Sequence, residues 1–144
     1  MELFSNPKDG WVNINIKGYG YIIRASYLTD IPMDFLNAII AHFKFGIPIS
    51  VYIDEEGSED ILCLAGNILV ISLLQETKIV GCKAITINNI AFIRAVLSGI
   101  EEYFEDWVHW FLDNDEETIK NRTIELKAKL DEAKELAKNI LGIE

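Results

Sequence analysis

The chain has 144 residues, half of them hydrophobic, and a formal charge of −10. So much apolar surface argues against disorder over most of the length. The charge argues against nucleic acid or anionic lipid as a partner, and no apolar run approaches the ~20 residues of a membrane-spanning helix.

The N-terminus, "MELFSNPKDG", lacks the basic and then apolar regions of a signal peptide, so a cytoplasmic protein is expected. "WVNINIK" (11–17) alternates apolar and polar residues, as a half-buried strand does. "GYG" (18–20) supplies a turn, and "YIIRASY" (21–27) returns as the second strand of a hairpin. A helix over 30–46 has both ends marked. Asp30 suits the N-cap, Pro32 the first turn, Asp34 the positive end of the dipole and Gly46 the C-terminal stop. Phe35, Leu36, Ile39, Ile40 and His42 or Phe43 follow the helical period. His42 is expected to be packed or half-buried.

Strands follow at 47–54, 60–65, 68–75 and 78–87, joined by connections short enough to demand antiparallel pairing. Gly81 suits a bulge in the last of them. "ILVISLL" is apolar on both faces and is expected to be central, covered on both sides. Cys63 and Cys82 lie in these apolar stretches with no CxxC spacing, and are expected to be buried free thiols.

The remainder is helical. Ile90, Ile93, Leu97, Ile100, Phe104, Trp107 and Phe111 form one seam. Ile119, Thr123, Leu126, Leu130, Ala133, Ala137 and Ile140 form another. The acidic run 113–117 separates them, and an antiparallel helical hairpin is expected. The second seam, of small and medium side chains, can accept a further helix from another copy. The resulting fold class is α+β, a single domain over 1–144. A mostly antiparallel sheet of five to six strands packs with one internal helix and the C-terminal hairpin. Its last helix (119–142) is long and lies at the surface.

Charge is unevenly placed, with ten acids and seven bases over residues 1–100 but thirteen acids and six bases over 101–144. In "EEYFEDWVHWF" (101–111), acids and aromatics alternate in text but separate on a helical wheel. Phe104, Trp107 and Phe111 are assigned to the core. Tyr103 and Trp110, at the margins of the stripe, stay beside the acids as contact aromatics. Glu105, His109 and Asp113 share a helix face, but HExxH is absent, and pairing of His109 with its neighbours is the simpler reading. "DEEGSED" (54–60) departs from the calcium-loop pattern and reads as a solvated hairpin loop. No G-x-S-x-G elbow, P-loop or G-x-G-x-x-G occurs. No catalytic residue, metal ligand or cofactor is assigned, and the balance leans away from an enzyme.

Three stretches together resemble a set of small bacterial proteins with no assigned function. They are "WVNI", "SYLTDIPMDFLNAI" followed by "VYIDEEGSEDIL", and "YFEDWVHWF", spanning about residues 11–112; the long final helix departs from that pattern. In type, such proteins resemble the acidic immunity proteins of bacterial toxin systems. The resemblance implies a partner-binding role and carries over no binding residue. The expected function is a non-enzymatic cytoplasmic protein-binding domain that meets a basic protein through Glu55, Glu56, Glu59, Asp60, Glu102, Asp106 and Asp113, with Tyr103 and Trp110 as aromatic contacts. The alternatives are a structural or oligomerisation module without a separate ligand and, behind it, a small-ligand or metal-binding enzyme.

Overall fold

The computed structural model describes residues 2–16, 20–112 and 115–142. Its strands, among the described residues, form two antiparallel sheets rather than one. The first contains β1 (Phe4–Lys8), β2 (Trp11–Ile16) and β3 (Tyr21–Ser26), in that order. The second contains β4 (Ile49–Asp54), β5 (Glu59–Ala65), β6 (Ile68–Gln75) and β7 (Lys78–Thr86), again in chain order.

The β2–β3 hairpin forms in the expected register, from Trp11 opposite Ser26 to Ile16 opposite Tyr21. Residues 17–19, most of its expected turn, lie outside the described residues. The alternation in β2 sends Val12, Ile14 and Ile16 into the core. Strand β1 had no alternation to announce it. Its register with β2 shifts between Ser5 and Lys8, and Asn6 takes a left-handed φ of 51° next to Pro7. Such a strand pairs at an edge because Pro donates no ladder bond.

Helix α1 (Ile31–Phe45) ends at Gly46 with φ 69°, the left-handed cap its sequence signals. At the other end Asp30 holds the N-cap position but makes no capping bond with its side chain. Its carboxylate instead takes two bonds from the Arg122 guanidinium, at 2.9 and 3.0 Å. His42 is half-buried, and its Nδ1–H donates to the Ile47 carbonyl at 2.7 Å.

The expected continuous helix over 90–111 is interrupted. Helix α2 (Asn89–Glu102) begins at Asn88, whose side chain accepts from the Ala91 amide at 2.8 Å. It closes at Tyr103, with φ −104° and ψ 26°, and a single turn, α3 (Phe104–Val108), follows. This break resets the phase of every later side chain. Trp107, Val108 and Trp110 point inward and are 0–2% exposed, whereas Phe111 is 40% exposed. Ile90 is likewise exposed at the open end of its seam.

Helix α4 (Glu116–Leu141) buries Leu126, Leu130, Ala133 and Ala137, while Ile140 is exposed. Its main neighbour is α1, with α2 second. The ion pairs give the directions. Arg122 meets Asp30 and Glu132 meets Lys44, so α1 and α4 run parallel. Arg122 also meets the Trp107 carbonyl and Lys134 meets Glu101, so α2, α3 and α4 form the antiparallel pair. Leu126, Leu130, Ala133 and Ala137 of the α4 seam are thus covered by the chain's own helices, while its Ile140 end is not.

One continuous core joins both sheets and the helices. Phe4 is at its centre, edge-on to Phe35 at 5.5 Å and to Trp107 at 5.2 Å between ring centroids. Phe4 reaches that depth because Gly99 lacks a side chain. A Cβ there would come within 2.5 Å of the Phe4 ring.

The two cysteines depart from expectation. Cys63 is half-buried and Cys82 exposed, both on the outward face of the second sheet. They are two strands apart and offset along them, well beyond the ~7 Å Cα separation a disulfide tolerates. Strand β6 is interior in its sheet, but only its inward residues, Leu69 and Ile71, are fully covered.

Candidate partner-binding surface

Two acidic groups stand on rigid supports. The first lies at the α2–α3 junction. Glu101, Glu102, Glu105 and Asp106 are exposed there. Lys134 neutralises Glu101 at 2.8 Å. Among the described residues, Glu102, Glu105 and Asp106 form no ion pair. Tyr103, half-buried between them, donates its phenolic O–H to Glu2 at 3.2 Å. Partial burial raises the phenol's pKa, and the carboxylates of Glu102, Glu2 and Asp106 raise it further. Beside this group a groove of about 550 Å³ runs along Pro7, Lys8 and Asp9 of the β1–β2 turn, Glu105, Asp106, His109 and Leu112. His109 donates Nδ1–H to the Glu105 carbonyl at 2.9 Å, since a carbonyl carries no proton. Asp113 lies outside the described residues, so the Glu105–His109–Asp113 face is only partly described.

The second group is the β4–β5 loop. Glu56 is exposed at its tip, with φ 57°, and its amide donates to the Asp54 carboxylate at 2.7 Å. Glu55 and Glu59 are half-buried. Asp60 differs from its expected role at the surface. It is 1% exposed, because the strand period turns it inward beside Leu62. The Tyr21 hydroxyl donates to it at 3.0 Å, joining the first sheet to the second. Trp110 differs in the same way. It is 1% exposed and donates Nε1–H to the Thr29 carbonyl at 3.0 Å. Neither Asp60 nor Trp110 offers a surface to a partner. Thr29 also accepts the Asp54 amide on its hydroxyl, at 3.4 Å. The acidic hairpin and the acidic helix junction are therefore tied to one residue, whose neutral side chain gave no sign of that place in the sequence. Arg122 was equally silent: it holds Asp30, the Trp107 carbonyl at 3.0 Å and the ring of Phe111 at 4.8 Å.

Two carboxyls titrate unusually high. Burial raises Glu55 to about 7, assisted by its hydrogen bond to Asp60 and that group's charge, against the Ser58 hydroxyl and the Arg24 backbone, which lower it. Burial raises Asp34 to about 6, with the charge of Asp30 adding to it. Burial pushes Tyr21 up to about 12, with its hydrogen bond to Asp60 and the charges of Asp60 and Glu55 adding to the rise. The sign of the consequence is set by the raised carboxyls. The folded state binds their protons more tightly than the unfolded chain, so their stabilisation is complete below their ordinary values near 4. It is lost as pH rises through 6 and 7. Thermal unfolding followed by circular dichroism should give a higher Tm near pH 5.5 than at pH 8. Glu55→Gln should flatten that decline, and an undiminished decline in the variant would assign it elsewhere.

No helix among the described residues is long and apolar enough to cross a membrane. Comparison with protein families, with known proteins and with solved structures finds no match for this chain.

Proposed function

We propose that the chain is a non-enzymatic protein-binding domain that meets a basic protein through its acidic side chains, in the manner of a toxin-neutralising immunity protein. The observation that carries this reading is the exposed set Glu102, Glu105 and Asp106, which form no ion pair among the described residues, with Glu105 and Asp106 lining a groove. The backbone that carries these carboxylates is already ordered on a packed helix junction, so a cationic surface has only their side chains to order. Their field raises the association rate and disfavours acidic competitors. Glu55, Glu56 and Glu59 extend the acidic character to the hairpin, and Asp113 continues the run in sequence. Tyr103 supplies the aromatic contact. Binding energy comes from covering a basic cleft, and no bond is made or broken.

The test is affinity capture from a lysate of the native organism, with the wild type beside a Glu102→Lys/Asp106→Lys variant. The wild type should retain a basic protein at about 50 mM salt and release it near 500 mM, where the Debye length falls to roughly 4 Å. The variant should fail to retain it even at low salt. Equal recovery by both proteins would remove these acids from the interface, and recovery of no basic protein would remove the reading itself.

A further inference from the structure

Strand β4 is an edge of the second sheet, closed at one end and open at the other. Hydrogen bonds in an antiparallel pair alternate, so every second residue of an edge strand turns its N–H and C=O away from its neighbour. The phase is set at the hairpin, where the Glu55 amide donates to the Ser58 carbonyl at 3.0 Å. Along the register, Ile53, Val51 and Ile49 then bond to β5, while Asp54, Tyr52 and Ser50 face the open side. Asp54 bears this out. Its carbonyl accepts the Ser26 hydroxyl at 3.0 Å, and its amide donates to the Thr29 hydroxyl at 3.4 Å. The backbone groups of Ser50 and Tyr52 on that side have no such partner among the described residues.

These groups border a groove of about 590 Å³ between β4 and α1, lined by Asp34, Ala38 and Ala41 on the helix and by Ser50, Val51 and Tyr52 on the strand. The two alanines keep its helix wall low. Asp34 is half-buried there and forms no ion pair among the described residues. Burial first, and the Asp30 charge second, hold its carboxyl above the usual range, whereas Asp30 has Arg122. A nearby cation is what Asp34 lacks. The opposite edge, β7, is guarded. Lys83 lies on its inward row opposite Ile71, and the register shifts at Leu73/Leu74. Inward charges and bulges keep edges from pairing, and the Ser50–Tyr52 stretch has neither.

We propose that the Ser50–Tyr52 edge takes an extended peptide segment of a partner as a fifth, antiparallel strand, with a lysine or arginine of that segment reaching Asp34. The backbone selects the form of the ligand. Ser50 and Tyr52 each exchange two N–H···O bonds with one residue of the incoming segment. The residue between those two lies opposite Val51 and points inward onto α1. There a long cationic side chain lays its stem over Ala38 and brings its head to Asp34.

Charge selects the occupant. A second copy brings a charge of −10 and another Asp34 in place of a cation, and an acidic segment is repelled likewise. The paired stretch is short. Asp54 is occupied at one end, and Pro48 has no N–H to offer at the other. The edge uses none of Glu102, Glu105 and Asp106, so it and the acidic helix junction fail separately.

The test is a titration of the isotope-labelled chain with the end-blocked peptide Thr-Val-Thr-Lys-Thr-Val-Thr, followed by amide shifts in NMR. Saturable shifts should centre on Ser50, Tyr52 and the groove side of α1, and solvent exchange of the Ser50 and Tyr52 amides should slow. Methylating the backbone nitrogens of the two threonines beside the lysine removes two of the strand bonds and should weaken binding at least about fivefold. Norleucine in place of the lysine should weaken it at least about threefold. Ser50→Pro removes an outward donor without breaking the ladder to β5, and should abolish saturable binding. Should that variant fail a circular-dichroism check of folding, Asp34→Asn provides the readout, since it should bind the lysine and norleucine peptides alike. Four results would each overturn the proposal. They are no saturable shift up to about 5 mM peptide, equal binding of the methylated peptide, equal binding of the lysine and norleucine peptides by the wild type, and Ser50 and Tyr52 shifts that grow with protein concentration alone. The last would give the edge to a second copy.

Discussion

Trp107→Ala is expected to cost about 4 kcal/mol, within the range for emptying a large buried aromatic site. At this chain length that lowers Tm by roughly 10–15 °C. Trp107 is fully buried and packs edge-on against both Phe4 and Trp110, each at 5.2 Å between ring centroids. Its indole N–H also donates to the Gly99 carbonyl at 3.2 Å. The packing outweighs the hydrogen bond. The Gly99 carbonyl keeps the Tyr103 amide, also at 3.2 Å, when the indole is gone, so no buried acceptor is orphaned. Trp107→Phe, which keeps most of the volume and loses the N–H, should therefore cost only about 1–2 kcal/mol. Chemical denaturation of the two variants checks the order. Equal losses in both would mean that the hydrogen bond, rather than the ring packing, fixes α3.

Arg122→Ala should be the next most damaging change, at about 2–3 kcal/mol. A fully buried pair broken on one side costs about 3–5 kcal/mol, whereas an exposed pair is worth under about 1. The Arg122 and Asp30 side chains are 11% and 25% exposed, which places them between. Arg122→Lys should recover little, because an ammonium cannot reproduce the two-pronged contact with Asp30 together with the bond to the Trp107 carbonyl. The loss should also depend on pH. Removing Arg122 leaves the Asp30 charge beside Asp34, whose carboxyl holds its proton to about 6. Denaturation at pH 5, where Asp34 is protonated, should show a smaller loss than at pH 8. Adding Asp30→Asn to Arg122→Ala should restore part of the stability at pH 8, and a purely additive double variant would show that the two side chains are not coupled.

Arg122 joins the start of α1, the end of α3 and the first half of α4, and so holds the helix layer in register around Trp107. The same contacts fix the α2–α3 junction on which Glu102, Glu105 and Asp106 stand. A weakened latch is therefore expected to reach the proposed binding surface without touching any of its acids.

The sequence by itself determined the elements whose signal is local. The alternation of β2, the caps of α1 at Gly46, the short antiparallel connections from β4 to β7 and the small-residue seam of α4 are fixed by neighbours a few positions away. The acids of 101–106 were legible for the same reason, since a charged side chain on a helix goes to water unless something distant claims it. Only the tertiary structure decided where periodicity stops. Phe4 occupies the space left by the bare Cα of Gly99, α2 ends at Tyr103, and the wheel that put Phe111 in the core and Trp110 at its margin turns out of phase. It also divided the strands into two sheets and drew Asp60 inward to Tyr21, thirty-nine residues away. Asp30 passed from a helix cap to Arg122, ninety-two residues on. Those outcomes depend on contacts between residues far apart in the chain, and no local pattern carries the free energy that decides them.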